Sequence, residues 1–204
     1  MQNTSESPSF LKTALAWSGS VTPKILPRLG AVLLYSAGVT YLLGLFPHVT
    51  ISITPFEYGG AVLGLLLITR VNAGVDRWWE ARKIWGSIVN QSRNLAQMAY
   101  SYSSPSGHDI ACQLVKWVAA MPYAMRSHLR GEREIGAIQR LLGPKEADKV
   151  MAADHMPYYI SHRIIHMLKQ LRKEGLDDFA FHQAERERAI LINDIGASER
   201  ILKT

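Results

Sequence analysis

The chain has 204 residues, 48% of them hydrophobic, with a formal net charge of +6 and a single cysteine. That length admits one large domain or two small ones with a buried core, and a lone Cys112 excludes an intramolecular disulfide or a cysteine-based zinc cluster. The basic residues are interleaved with Glu80, Glu132, Glu134 and Glu146, so no single-sign stripe of the kind that grips nucleic acid forms.

Residues 1–8 are polar. Phe10, Leu11, Leu15 and Trp17 then predict a short amphipathic helix lying at a membrane surface. Pro23 and Pro27 punctuate the entry into residues 29–46, which carry no charge and suffice to cross a hydrocarbon core of about 30 Å. Arg28 stands too close to this run, with no cleavage pattern after it, for a signal peptide. Lys12, Lys24 and Arg28 precede the first apolar run, Arg70, Arg77, Arg82 and Lys83 follow the second, and the loop 47–55 has no Lys or Arg. The positive-inside rule therefore puts both ends of the hairpin in the cytoplasm.

Pro55 suits the first turn of a second helix. Residues 58–69 are also uncharged but too short to span unless the helix continues past Arg70. With no proline between Pro55 and Pro105, one helix over about 55–100 is predicted, beginning in lipid and ending in water. Ile84, Ile88, Leu95 and Met98 keep a helical apolar spacing there. Trp78, Trp79 and Trp85, set among arginines, read as the aromatic belt of a membrane boundary. The competing reading is a hairpin buried in a soluble helical bundle.

Beyond a turn at 103–108, residues 110–129 are apolar nearly all round, which predicts a helix buried among others. Shorter helical pieces are expected over 131–143 and 144–151. A further helix runs from Met156-Pro157 to about 173, ended by Gly175, and a last one from about Asp178 into Ile195. Glu185 to Arg188 offer charge pairs on its solvated face. Nothing alternates with period two, so the fold class is all-α. The expected division is an amphipathic segment over 1–25, a transmembrane hairpin over 26–72 and a cytoplasmic helical region over 73–204.

His162 and His166 have a spacing that can hold a metal. Two ligands are too few, and Arg163-Ile-Ile165 lacks the glutamate of a zinc hydrolase, so no metal site is expected. Asp76 with Arg77, and Glu80 with Arg82 or Lys83, read as ion pairs rather than catalytic pairs. No glycine-rich phosphate loop or serine nucleophile motif appears. Neither an enzyme nor a cofactor is implied.

The string Arg70, Asn72, Asp76, Arg77, Trp78, Trp79, Glu80, Ala81, Arg82, Lys83, Trp85 and Gly86, followed by Asn90 and Arg93, resembles the signature of the bestrophin ion channels, specifically their bacterial branch. Trp17-Ser-Gly-Ser20, His155-Met-Pro157 and Glu199, Arg200 and Ile201 resemble three shorter family segments in the same order. The resemblance implies a homopentamer in the bacterial inner membrane whose five second helices surround an axial pore for small inorganic ions. These would be anions such as chloride, or monovalent cations. It carries the pore-lining neck onto Ala61, Leu65 and Thr69, one turn apart on one helix face. Alanine and threonine are smaller or more polar than the family's usual residues and imply a wider, wetter neck. A second, cytoplasmic constriction falls at His182, where a ring of imidazoles would make permeation pH-sensitive. Family members continue past Glu199-Arg-Ile201 with further membrane helices. This chain stops at Thr204, so the isolated chain is expected to assemble poorly, mostly as monomer or aggregate in detergent. A non-conducting membrane-associated helical scaffold or truncated channel fragment is the rival reading. A soluble basic protein that binds nucleic acid is the third.

Overall fold

The computed structural model describes residues 22–46 and 52–203. The expected surface helix, the Trp17-Ser-Gly-Ser20 segment and most of the 47–55 loop lie outside these. The described residues form helices and turns only, and they cluster into two compact units, one up to Gly64 and one from Leu65 onward.

Helix α1 is Thr22–Leu45. It starts earlier than the apolar run suggested and takes Pro27 inside it. The first N–H groups of a helix have no intrahelical acceptor, so Pro23 costs nothing there and Pro27 removes a single ladder bond. Helix α2 is Thr54–Ser101, 48 residues without interruption, or about 72 Å at 1.5 Å per residue. Both helices contain a window long and apolar enough to span a membrane, and neither window is buried at all. Two threonine hydroxyls on these helices bond within their own helix. Thr40 Oγ1 donates to the Ser36 carbonyl at 2.9 Å and Thr69 Oγ1 to that of Leu66 at 2.9 Å, as an apolar surrounding demands. Burial on α2 begins only at Ile88 and continues at Leu95 and Ala99, one face of a 3.6-residue period.

The second unit packs this stripe of α2 with α3 (His108–Arg130), α6 (Met156–Lys173) and α7 (Asp178–Lys203), while α4 (Gly136–Leu142) and α5 (Pro144–Ala152) connect α3 to α6. As expected, α3 is largely buried, through Leu114, Trp117, Val118, Met121 and Met125 among others. Its Lys116 stays exposed and its Arg126 pairs with Glu134. Gly131, at φ +65°, closes α3 in the left-handed conformation that glycine tolerates. Helix α4 begins later than its composition suggested, at Gly136.

Local chemistry fixes the remaining ends. The Ser104 side chain accepts the Gly107 N–H to cap a 3-10 turn, Pro105–Gly107. The hydroxyls of Ser104 and Ser106 both donate to the Glu174 carbonyl, the latter at 3.2 Å, and so cover an orphan acceptor at the end of α6. The Asp177 carboxylate accepts from Phe179 N at 2.9 Å and Ala180 N at 3.1 Å and opens α7. Helix α7 runs on to Lys203 rather than stopping near Ile195, because its inner face continues through Leu191, Ile195 and Ser198 with only Gly196 to weaken it.

Leu168 lies fully buried on α6, whereas Leu66 in the apolar part of α2 is 57% exposed. Leu168→Ala is expected to destabilise the second unit by about 2–5 kcal/mol, read as a lower thermal midpoint by circular dichroism in detergent. Leu66→Ala should leave that midpoint nearly unchanged; an equal loss from both would contradict this placement of the core.

Candidate functional site

The tryptophan-rich motif occupies the part of α2 between its unburied apolar window and its buried stripe. Trp78 and Trp79 are 59% and 54% exposed, with ring centroids 6.1 Å apart, and the Arg82 guanidinium lies 5.8 Å from the Trp78 ring centre, within cation–π range. Trp85 is half-buried against the core. Arg70, Asn72, Asp76 and Arg77 are exposed, and Gly86 would meet nothing within 4 Å if given a Cβ.

The structure brings together motif segments that are far apart in sequence. Glu80 of α2 accepts from Arg200 of α7 at 2.5 Å, whereas Arg82 and Lys83 were the expected partners. Arg82 stands only two residues on, a separation at which helical side chains do not face each other, and it turns to Trp78 instead. The neighbouring Glu199 reaches a different set. Its Oε1 lies 2.7 Å from His155 Nε2 and 3.0 Å from His128 Nε2. His155 also caps α6, its Nδ1 accepting the Tyr158 N–H at 3.3 Å. Its ring lies between those of Tyr158, 4.0 Å away and stacked, and His128, at 4.1 Å. Thus His155 and Glu199, from two of the shorter family segments, meet with His128 at a junction of α3, α6 and α7, and Arg200 beside Glu199 ties in α2 through Glu80.

Asp194, one turn and a half earlier on α7, is a further carboxylate at this junction. Burial pushes its pKa above the ordinary aspartate value, and a hydrogen bond from the Ser87 side chain opposes that in part. His128 and Asp194 escaped sequence reading, since neither carries a local motif. The other singled-out residues stay apart. Ala61, Leu65 and Thr69 are exposed. His182 is exposed near the start of α7, its ring edge-on to Phe181 at 5.6 Å. His162 and His166, also exposed, touch edge to face at 4.5 Å.

Two apolar unburied helical stretches, a tryptophan–arginine boundary and a packed helical unit among the described residues fit a helical membrane protein. Comparison with known proteins narrows the class. Residues 2–204 match the family described as "Bacterial/Fungal Bestrophin protein", and the chain belongs to that family, one of ion channels rather than enzymes. It is 32% identical over 200 residues to the voltage-dependent anion channel-forming protein RSc3414 of Ralstonia nicotianae, covering 96% of this chain and 65% of that one. It is 30% identical over 194 residues to the similarly named sll1024 of Synechocystis, covering 93% and 63%. The chain therefore spans about two thirds of the length of these relatives. The fold resembles the crystal structure of a bacterial bestrophin homologue from Klebsiella pneumoniae with a TM-score of 0.77 at 24% identity, over 89% of this chain and 68% of that one.

Because the pKa of Asp194 is raised, its neutral form favours the fold, a contribution present below the ordinary aspartate value and lost as pH rises through the raised one. Asp194→Asn is expected to raise the thermal midpoint at neutral pH and to give progressively less benefit as the pH falls towards 4, roughly the unperturbed aspartate pKa. A gain independent of pH would show that the carboxylate is not destabilised by burial.

Proposed function

We propose that the chain is a subunit of a bestrophin-type channel in which five copies of α2 surround an axial pore and pass small inorganic ions. The observation that carries this reading is that neither apolar window contains a buried residue. A surface of Leu33, Leu34, Leu63, Leu66 and Leu67, all more than half exposed, needs lipid or other copies of itself. The relatives' names, which specify anion channels, favour chloride-like ions as cargo. The proposed division keeps residues 1–25 as a surface segment, 26–72 as the membrane hairpin and 73–204 as the cytoplasmic region, with both hairpin ends inside at the inner membrane.

Ala61, Leu65 and Thr69 are the proposed neck. Their four-residue spacing stacks them along one helix face, and Gly60 and Gly64 let neighbouring copies approach closely. The Thr69 hydroxyl donates its hydrogen bond to the Leu66 carbonyl, so it offers a passing ion an acceptor rather than a donor. Anion preference then rests on the cations that follow, Arg70 and Arg77 first, which raise the local anion concentration. His182 is the proposed cytoplasmic constriction.

The test is reconstitution of the chain into liposomes, with flux and reversal potentials in asymmetric potassium chloride. An anion-favouring potential that weakens in Arg70→Gln is expected. No flux from a well-inserted oligomer would favour the non-conducting scaffold. Single cysteines introduced in turn over residues 58–70 should react with water-soluble thiol reagents at 61, 65 and 69. Protection at all three would refute the lining.

A further inference from the structure

We propose that His128, His155 and Glu199 form a zinc-binding site in the second unit, independent of the pore. His128 Nε2, His155 Nε2 and Glu199 Oε1 all lie within 4.8 Å of one another, and the two imidazole nitrogens already converge on the one carboxylate oxygen at 3.0 and 2.7 Å. Zinc takes imidazole nitrogen and carboxylate oxygen at about 2.0–2.1 Å in a tetrahedron, which sets ligands roughly 3.3 Å apart. The two imidazole–carboxylate separations need to open by only a few tenths of an ångström. Each is about one quarter exposed, at 26, 25 and 24%, so they have room to move and the ion has a path in.

The donor set selects the ion. Two imidazoles and a carboxylate suit zinc and its transition-metal neighbours, whereas calcium and magnesium take oxygen alone. Three protein ligands leave a fourth position open. A cavity of about 120 Å³ beside His128, lined by Glu132 and Asp154 among others, gives a water ligand room and carboxylate acceptors. The ligands come from the last turn of α3, the cap of α6 and the far end of α7, so one ion would join three helices.

The protons balance without any co-reactant. In the metal-free form the His155 proton sits on Nε2, because Nδ1 accepts from Tyr158. When zinc takes the Nε2 atoms of both histidines, each neutral imidazole carries its proton on Nδ1 instead, and at His155 the Tyr158 N–H gives up its long 3.3 Å contact. The metal replaces the hydrogen bonds that now hold Glu199.

The experiment uses the full chain without a polyhistidine tag, stripped with a chelator in detergent and titrated with zinc chloride against a chromophoric zinc indicator. One zinc per chain is expected. Glu199→Gln and His128→Asn should each weaken binding by about a hundredfold or more, while the double variant His162→Asn with His166→Asn should bind as the parent does. Less than one zinc per chain, unchanged affinity in both single variants, or loss in the double variant would overturn the site. X-ray absorption on the unaltered chain guards against variants that fail to fold. A shell of nitrogen and oxygen at about 2.0–2.1 Å supports the proposal. Sulfur in the shell would overturn it and point to Cys112, whose Sγ lies 3.7 Å from His108 Nε2.

Discussion

In hydrocarbon a backbone has no water to bond with, so each N–H and C=O must be satisfied inside its own element. Helix α2 meets that demand with one unbroken ladder from Thr54 to Ser101, and every later feature of the chain hangs on it. What changes along this rod is the solvent its side chains suit, while the backbone stays the same. Residues 58–69 carry no charge, and burial within the second unit begins on this helix at Ile88. Between them stand tryptophans and arginines, side chains with an apolar body and a polar tip that tolerate both media. In the proposed membrane segment, a break within residues 58–69 would release unpaired backbone groups where they are hardest to satisfy.

The far end of α7 supplies the second fixed point. Consecutive helical residues point about 100° apart, so Glu199 and Arg200 can serve different neighbours. Glu199 gathers His128 and His155, and Arg200 holds Glu80. Asp194 faces Ser87 from the same helix. Within seven residues α7 thus contacts α2, α3 and the cap of α6 through polar groups, where a purely apolar face would leave register loosely specified. Partly buried pairs of this kind add little net stability; their value here is in choosing one arrangement of four helices.

Legibility in the sequence followed the range of the signal. The extent of α2 was readable because Pro55 and Pro105 bracket a proline-free stretch, and the start of α6 because Met156-Pro157 suits a first helical turn. The end of α7 was not, since Gly196 after Ile195 does not stop the helix: the buried face of Leu191, Ile195 and Ser198 carries it onward. Metal-ligand spacing drew attention to His162 and His166, one turn apart yet both exposed. The tighter group joins residues 27 and 44 positions apart, a proximity that only the packing of three helices creates. The proposed neck positions are a different case. Ala61, Leu65 and Thr69 are exposed in a single chain, so nothing local distinguishes a pore face from a lipid face, and only the family resemblance singles them out.

That ambiguity bears on how a proposed pore of this composition would choose its ion. Alanine and leucine offer no polar contact, and a threonine whose proton is held by Leu66 offers only an acceptor, which an anion does not seek. An ion crossing such a neck keeps its water rather than trading it for protein ligands, so the neck filters by width. Discrimination by sign then has to come from fields outside the narrowest point. Arg70 directly follows Thr69, and Arg77 stands two turns further on; repeated around an axis they would enrich anions at the mouth without binding any tightly. Charge at the entrance and small apolar side chains within would make a conduit that is selective by concentration. That physical basis differs from coordination, and it predicts sensitivity to ionic strength, because screening at high salt weakens the entrance field while leaving the width unchanged.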